Sequence, residues 1–158
     1  MALDLVGPAY PPALRRLRKA MVRFDPKEAF VRYIGPVPYA ELAERYGGAD
    51  AFVFASSCEN MPNILLEAMA AGLPIACSSR GPMPEVLGDA GLYFDPESPD
   101  GIEETLGKLL ERTELRTELA RNAHERAKRY SWERCAGETF SFIAEVCGNE
   151  GHLLGART

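Results

Sequence analysis

The sequence predicts an α/β fold, a Rossmann-like parallel sheet with helices on both faces. Short apolar runs alternate with segments of helical periodicity from residue 3 to residue 95. That alternation is typical of parallel strands joined by right-handed helical crossovers. Some of the apolar runs are continuous rather than alternating, as expected for strands covered on both faces. In such sheets ligands bind beyond the carboxyl ends of the strands.

Five short strands are predicted, and we expect them to form one mainly parallel sheet. The runs LDLVG and VRYIG each stop at a glycine, whereas AFVFA and PIACS are apolar almost throughout. GLYFD supplies the last strand before a proline-containing link. The predicted bounds are 3–7, 31–35, 51–55, 74–78 and 91–94.

The helices are predicted from apolar spacing and from their end signals. The first carries apolar residues at 14, 17, 20 and 21 and begins at a proline, which the first helical position tolerates. Glycines close the next two, and Ser131 is a suitable N-cap for the last. The predicted helices are 11–23, 39–47, 63–71, one turn within 81–88, 99–112, 114–129 and 131–147. We therefore expect one domain over residues 1–147 and a flexible tail over 148–158.

Composition excludes several classes of function. With 18 basic and 23 acidic residues the formal net charge is -5, which argues against a general nucleic-acid binder. No apolar run reaches the roughly 20 residues of a membrane span, and the N-terminus lacks the pattern of a signal peptide. Four scattered cysteines form no metal-binding pair, which predicts reduced, mostly buried thiols in a cytoplasmic protein.

The stretch ENMPNILLE, residues 59–67, is the strongest candidate for a binding site. Its position directly after a predicted strand places it at the ligand-binding edge of the sheet. If a helix begins near Pro62, the N–H groups of Asn63, Ile64 and Leu65 point outward and form an anion site. An equally consistent interpretation is that Asn60 or Asn63 caps the helix and nothing binds there.

Glu67 is a carboxylate on a helix that is otherwise nearly all apolar. A buried carboxylate without partners costs several kcal/mol, so Glu67 must have partners. Ribose hydroxyls of a bound nucleotide are one candidate, because the residue lies roughly 7 Å along the helix from the anion site. A salt bridge with Arg80 is the other.

The segment ENMPNILLEAMAAGLP resembles the E-x7-E motif of retaining glycosyltransferases of family 4 (group 1), which have the two-domain GT-B fold. AFVFASSCE before it and SSRGPMPEVLGDAGLYFDPESPDGIEETL after it are similar to the neighbouring segments of that family. VRYIGPVPYAELAERYGGAD and RYSWE extend the likeness, which runs over residues 3–147. The resemblance identifies the chain as a C-terminal nucleotide-sugar-binding domain.

The resemblance also implies roles for individual residues. Glu59 contacts the donor sugar and is the catalytic candidate, and Glu67 holds the ribose. Main-chain donors between them meet the diphosphate, and the loop after the second strand lies along the base, although a plain turn explains that loop equally well. The implied donor-binding residues are Asn60, Met61, Asn63, Ile64, Gly35, Pro36 and Val37. Pro62 has no N–H to donate.

The resemblance implies an enzyme of the hexosyltransferase type without metal or cofactor. The implied partners of this enzyme are a UDP-, GDP- or ADP-sugar donor and a glycan or lipid-linked acceptor. The resemblance also allows association of the parent protein with the cytoplasmic face of the membrane. The family's first donor-domain strand, its basic pair and its acceptor-binding N-terminal domain have no counterpart here. Arg15, Arg16, Arg18 and Lys19 fall on a helix instead. We therefore expect this piece alone to be inactive.

Two other classes of function remain open from the sequence. A nucleotide-sugar 2-epimerase shares the architecture, and a non-catalytic domain that binds a nucleotide sugar or a protein also fits. Among the remaining residues, we expect a solvent-facing His124, a buried Cys58 and a Trp132 that packs the last helix.

Overall fold

The computed structural model describes residues 2–154, and the side chains of residues 2–147. The chain divides into two compact units at Gly48 and Ala49. Strands and helices alternate in both units, as the sequence predicts.

The first unit contains two strands and two helices. They are β1 (Leu3–Val6), α1 (Pro11–Phe24), β2 (Val31–Gly35) and α2 (Tyr39–Gly47). β1 and β2 pair in parallel from Leu3 opposite Val31 to Val6 opposite Gly35, with a register shift before the last pair. The basic side chains of α1 are exposed, so Arg15, Arg16, Arg18 and Lys19 lie on a solvated helix as expected.

Asp25 organises the connection between α1 and β2. Its carboxylate accepts hydrogen bonds from the backbone N–H groups of Ala29 (2.8 Å), Phe30 (3.0 Å) and Val31 (2.8 Å). The hydrogen bond from Val31 is the main cause that holds the pKa of Asp25 below its usual value. One buried carboxylate therefore satisfies three amides where the chain leaves α1 and enters β2.

We predict that Asp25→Asn lowers the melting temperature and flattens its dependence on acid pH. Because the pKa of Asp25 is lower in the folded than in the unfolded chain, its stabilisation is complete above the unfolded value of 3.8 and is lost as the pH falls through the folded value. Melting curves between pH 2.5 and 7 measure both effects. Asp50→Asn, at an exposed position, is the control. Parallel pH profiles for wild type and Asp25→Asn would contradict the assignment.

Among residues 49–154, which the structure describes, the second unit contains three strands and five helices. In chain order they are β3 (Phe52–Phe54), α3 (Asn63–Ala70), β4 (Ile75–Ser78), α4 (Met83–Leu87), β5 (Leu92–Phe94), α5 (Pro99–Glu111), α6 (Thr113–Ala127) and α7 (Trp132–Leu154). β4 is the central strand and pairs in parallel with β3 on one side and β5 on the other. Ser98 caps α5 by accepting a hydrogen bond from the Gly101 N–H at 3.1 Å.

The core of the second unit is built around β4. All four residues of this strand are buried; helices α5 and α6 contact the sheet to which it belongs, and α3 packs against α6. One cluster joins Ala76 of β4 to Phe94, Leu109 and Leu119. Such a strand has no face in contact with water, which explains the continuous apolar run in the sequence.

The α/β class with parallel strands flanked by helices is confirmed, but the expected single sheet is wrong. The five strands form a two-stranded sheet, β1–β2, and a three-stranded sheet, β3–β4–β5. Every pairing is parallel. The periodicity of a strand reports which of its faces are covered, and it does not specify which strand lies next to it.

The expectation that the thiols are mostly buried is wrong. All four cysteines are free, but Cys58, Cys135 and Cys147 are exposed and only Cys77 is buried. Burial raises the pKa of the Cys77 thiol to about 12. Sequence alone gives no measure of how far a small side chain in a loop is covered.

The last helix also differs from the prediction. Trp132 does not pack it against the unit, since its side chain is 79% exposed. α7 extends to Leu154 and includes part of the segment assigned to a tail, whereas residues 155–158 of that tail lie outside the described residues.

Candidate functional site

The carboxyl ends of β3, β4 and β5 lie at one edge of the second sheet. Phe54 is opposite Cys77, and Cys77 is opposite Tyr93, so the three strands end at the same level. The Glu59 loop, residues 55–62, follows β3, and the Gly81 loop, residues 79–82, follows β4. This edge is where parallel sheets bind ligands.

Glu59 lies half-buried in its loop, and the Gly81 loop packs directly beside it. A Cβ atom added to Gly81 would lie 3.9 Å from the backbone N of Glu59 and 3.8 Å from Cε of Met83. Gly81 has a φ of +59°, a conformation that side chains other than glycine rarely adopt. The positive φ, rather than a lack of space, therefore favours glycine at this position between the two loops.

Helix α3 begins at Asn63, as predicted, and ends one residue earlier than expected, at Ala70; the buried Pro62 occupies its cap position. No side chain caps it, so the alternative in which Asn60 or Asn63 does so is wrong. The N–H of Asn63 donates to the Met61 carbonyl at 2.9 Å, and the N–H of Leu65 donates to the Pro62 carbonyl at 2.9 Å. Two of the three donors expected to be free therefore make local hydrogen bonds.

The side chains around this helix start are largely open to solvent. Met61 and Ile64 are each 45% exposed. The predicted donor-binding residues that lie exposed here are Asn60, Met61, Asn63 and Ile64. An open edge with apolar and amide side chains can receive a polar ligand with little rearrangement of the core.

Glu67 lies in the second turn of α3 and is half-buried. Leu65, Ala68 and Met69 are buried, but Asn63 and Ile64 are exposed, so the helix is covered on one side only. The near-complete cover expected from the sequence is not found. Glu67 therefore lies at the border between the covered and the open side of α3.

Arg80, considered above as a partner of Glu67, pairs with two acidic residues after β5. Its guanidinium lies 3.1 Å from Asp95 and 3.5 Å from Glu97. The pKa of Asp95 is lowered mainly by the hydrogen bond that its carboxylate accepts from the N–H of Glu97. The nearby guanidinium of Arg80 lowers it further. This exposed network ties the loop after β4 to the loop after β5.

The loop predicted to contact a nucleotide base belongs to the first unit. Gly35 ends β2, is buried and has a φ of +78°, and its carbonyl accepts a hydrogen bond from the Gly7 N–H at 2.8 Å. Pro36 is exposed and Val37 half-buried. A role of these three residues at a base stays a prediction.

The C-terminal part of α6 contains two contacts that sequence analysis missed. His124 is exposed as predicted, and its Nδ1 lies 2.9 Å from the Ala70 carbonyl at the end of α3. Arg126 donates to the carbonyls of Val86 and Glu85 in α4. No sequence signal marks these contacts, because they join residues about 40 to 54 positions apart.

Two features are absent from the part of the chain that the structure describes. No three or more His, Cys, Asp or Glu side chains lie together in an arrangement that could hold a metal ion. None of the described helices combines the length and the apolar character that crossing a membrane requires.

Comparison with known protein families decides the relationship. Residues 14–126 match the family described as "Glycosyl transferases group 1". The chain belongs to this family. The matched range includes the Glu59 loop, α3 and the Gly81 loop, so the candidate site lies within the shared part.

Two curated proteins illustrate the position of the chain within the glycosyl transferases group 1. It is 36% identical over 121 residues to the O-antigen chain mannosyltransferase B of Escherichia coli. The aligned residues make up 77% of this chain and 32% of that protein. It is 30% identical over 146 residues to the D-inositol 3-phosphate glycosyltransferase of Corynebacterium glutamicum strain R. The aligned residues make up 91% of this chain and 35% of that protein. The chain spans about a third of the length of these curated relatives.

Solved structures of glycosyltransferases share the fold. The C-terminal domain of the group 1 protein LpcC of Francisella tularensis matches with a TM-score of 0.71 at 25% identity, over 81% of this chain and 68% of that one. Anabaena HepE in complex with UDP matches with a TM-score of 0.81 at 18% identity, over 92% and 41%. These similarities confirm the predicted fold as one half of the GT-B architecture.

The contrast between Cys58 and Cys77 gives a test of the local geometry. At pH 8 we expect N-ethylmaleimide to label the exposed Cys58 in the Glu59 loop and to spare Cys77 in β4, because Cys77 is buried and burial raises the pKa of its thiol to about 12. Peptide mass spectrometry locates the label. Cys135 and Cys147 are exposed internal controls, and all four should react in denaturant. Equal labelling of Cys77 in the folded chain would contradict the placement of β4.

Proposed function

We propose that the chain is the donor-binding part of a retaining, metal-independent glycosyltransferase of family 4. It binds a UDP-, GDP- or ADP-sugar, and the complete protein transfers the sugar to a glycan or lipid-linked acceptor in the cytoplasm. Glu67 holds the ribose, Glu59 contacts the donor sugar, and the start of α3 meets the diphosphate.

The observation that carries the proposal is the placement of two carboxylates at the edge where three parallel strands end. Glu59 is half-buried in the loop after β3, and Glu67 is half-buried about one turn into α3. Between them lies the uncapped start of that helix, whose dipole favours an anion. Along the chain, the proposed sugar contact comes first, the anion site second and the ribose contact third. Sugar, diphosphate and ribose follow one another in the same order in a nucleotide sugar.

The local hydrogen bonds at the start of α3 reduce the number of free N–H groups that could bind a diphosphate. The N–H groups of Asn63 and Leu65 already donate to Met61 and Pro62. A phosphate oxygen would have to share or replace these bonds, which lowers the net gain from each of them. We therefore assign more of the affinity to Glu67 and less to the main chain than the family resemblance alone implies.

Catalysis requires more than this chain supplies. Transfer needs donor and acceptor held together in one closed cleft, and positive charge or other donors to stabilise the leaving diphosphate. The described residues at the edge include one cation, Arg80, and it is paired with Asp95 and Glu97. We expect the chain to bind the donor without turning it over.

Titration of the chain with UDP, GDP and ADP tests the proposal, and Glu67→Gln gives the sharpest variant. Hydrogen bonds to a charged group contribute roughly 1.5–3 kcal/mol, so loss of the carboxylate charge should weaken binding of the preferred diphosphate by about tenfold or more. The loss should be the same for the corresponding nucleotide sugar, since both contain the ribose. Calorimetry provides the affinities, and melting curves report the stability of the variant.

Glu59→Gln should behave differently from Glu67→Gln. Its proposed partner is the sugar, so affinity for the bare diphosphate should stay within about twofold, while affinity for the nucleotide sugar falls by about fivefold to tenfold. Glu104→Gln is the control, because Glu104 is exposed on α5 and paired with Lys108. Unchanged affinities in Glu67→Gln would remove the ribose assignment, and no binding of any of the three diphosphates would refute the proposed function.

A further inference from the structure

We infer that Arg126 is a positioning residue for the donor-sugar end of the site, which it holds through α4 and the Gly81 loop. This inference rests on the proposed function for the role of Glu59. The contacts of Arg126 with α4, and the position of α4 beside the Gly81 loop, are present in the folded chain without ligand.

Arg126 reaches from α6 to the last turn of α4. Its Nε donates to the Val86 carbonyl at 2.6 Å, and its Nη2 donates to the Glu85 carbonyl at 2.8 Å. Carbonyls at the end of a helix have no partners within the helix, and a cation there also interacts favourably with the helix dipole. α4 has only five residues, too few to be stable without such outside contacts.

Gly88 makes this contact possible. It follows α4 with a φ of +61°, and a Cβ atom added there would lie 2.6 Å from Cζ and 2.7 Å from Nη1 of Arg126. The guanidinium therefore occupies the space that any other side chain at position 88 would need. The hydroxyl of Tyr93 donates to the Gly88 carbonyl and fixes the same turn from β5.

The other end of α4 lies beside the candidate site. Met83, its first residue, is fully buried, and its Cε would lie 3.8 Å from a Cβ added to Gly81. The same position is 3.9 Å from the backbone N of Glu59. A space of about one methyl group beside Gly81 therefore separates Met83 from the Glu59 loop, and we expect a shift of α4 to reach that loop through the Gly81 loop.

Arg116 provides a matched control on the same helix. Its Nη1 donates to the carbonyls of Leu109, at 3.2 Å, and Leu110 in the last turn of α5. The two arginines thus bind helix-end carbonyls in the same way. α5 contributes no residue to the Glu59 or Gly81 loops, so loss of Arg116 should destabilise the unit without a specific effect on the site.

The experiment compares Arg126→Gln with Arg116→Gln in the 158-residue chain. The first measurement is hydrogen exchange of the ligand-free protein, read by mass spectrometry for the segments 55–62 and 79–88. We expect exchange there to be about threefold to tenfold faster in Arg126→Gln, which is the usual size of an indirect coupling, and unchanged in Arg116→Gln. Arg116→Gln should instead speed exchange at the end of α5.

The second measurement is the gain in affinity that the sugar provides. UDP, GDP and ADP are titrated beside UDP-glucose, GDP-mannose and ADP-glucose. Arg126→Gln should lose about threefold to tenfold of the sugar's contribution while affinity for the bare diphosphate changes little, because α3, which contains Glu67, is held by contacts with α6 that do not involve Arg126, such as that of His124 with the Ala70 carbonyl. Arg126→Lys, which has one ammonium group for the two carbonyls, should recover part of that loss.

Gly88→Ala tests the same contact from the other side. The added methyl group must displace the guanidinium and also strains a backbone whose φ is +61°, so this variant should speed exchange in 79–88 at least as much as Arg126→Gln although Arg126 itself is present. Arg126→Lys provides the second route if Arg126→Gln fails to fold.

The outcomes separate this inference from the proposed function. If the wild-type chain binds none of the diphosphates, the proposed function fails, and the exchange measurement still decides whether Arg126 holds the Glu59 loop. If diphosphates bind but Arg126→Gln and Arg116→Gln have the same exchange in 55–62 and the same sugar contribution, the positioning role of Arg126 is refuted.

Discussion

Complete burial of β4 is the constraint on which the second unit depends. A buried strand must have its N–H and C=O groups hydrogen-bonded, and a central strand meets this requirement only with a neighbour on each side. β3 and β5 supply the two ladders, both parallel. The carboxyl ends of all three strands are thereby brought to one edge, and the loops that contain Glu59 and Gly81 become neighbours although the chain separates them by α3 and β4.

The sequence was sufficient for the elements and their order, and insufficient for their assembly. PIACS is apolar throughout, and the strand within it is buried throughout. AFVFA has the same appearance, yet within the strand it contains only Phe54 is buried. Periodicity reports a local tendency, whereas pairing depends on contacts between distant segments. The division of five predicted strands between two sheets therefore had no signal in the sequence.

The candidate site was located by spacing, but its details depend on geometry that spacing does not encode. The two glutamates and the start of α3 lie where the sequence placed them, at the end of β3. The local hydrogen bonds of Asn63 and Leu65, the exposure of Cys58 and that of Trp132 follow from how loops and helices are covered. The contacts of Arg126 were missed because nothing in the sequence of a charged helix indicates which distant carbonyls one of its arginines will bind.

The carboxylate of Asp25 has a consequence for how freely the first unit can change in evolution. The side chains at positions 26–30 are all exposed, while the amides of residues 29–31 are held by that single group. The shape of this crossover therefore depends mainly on one carboxylate. Substitutions at 26, 27, 29 and 30 should accumulate with little penalty, provided that the backbone length between Asp25 and Val31 is kept. Position 28, where Glu28 has a φ of 50°, should favour residues that tolerate a left-handed backbone, and Asp25 should be the least replaceable residue of the turn.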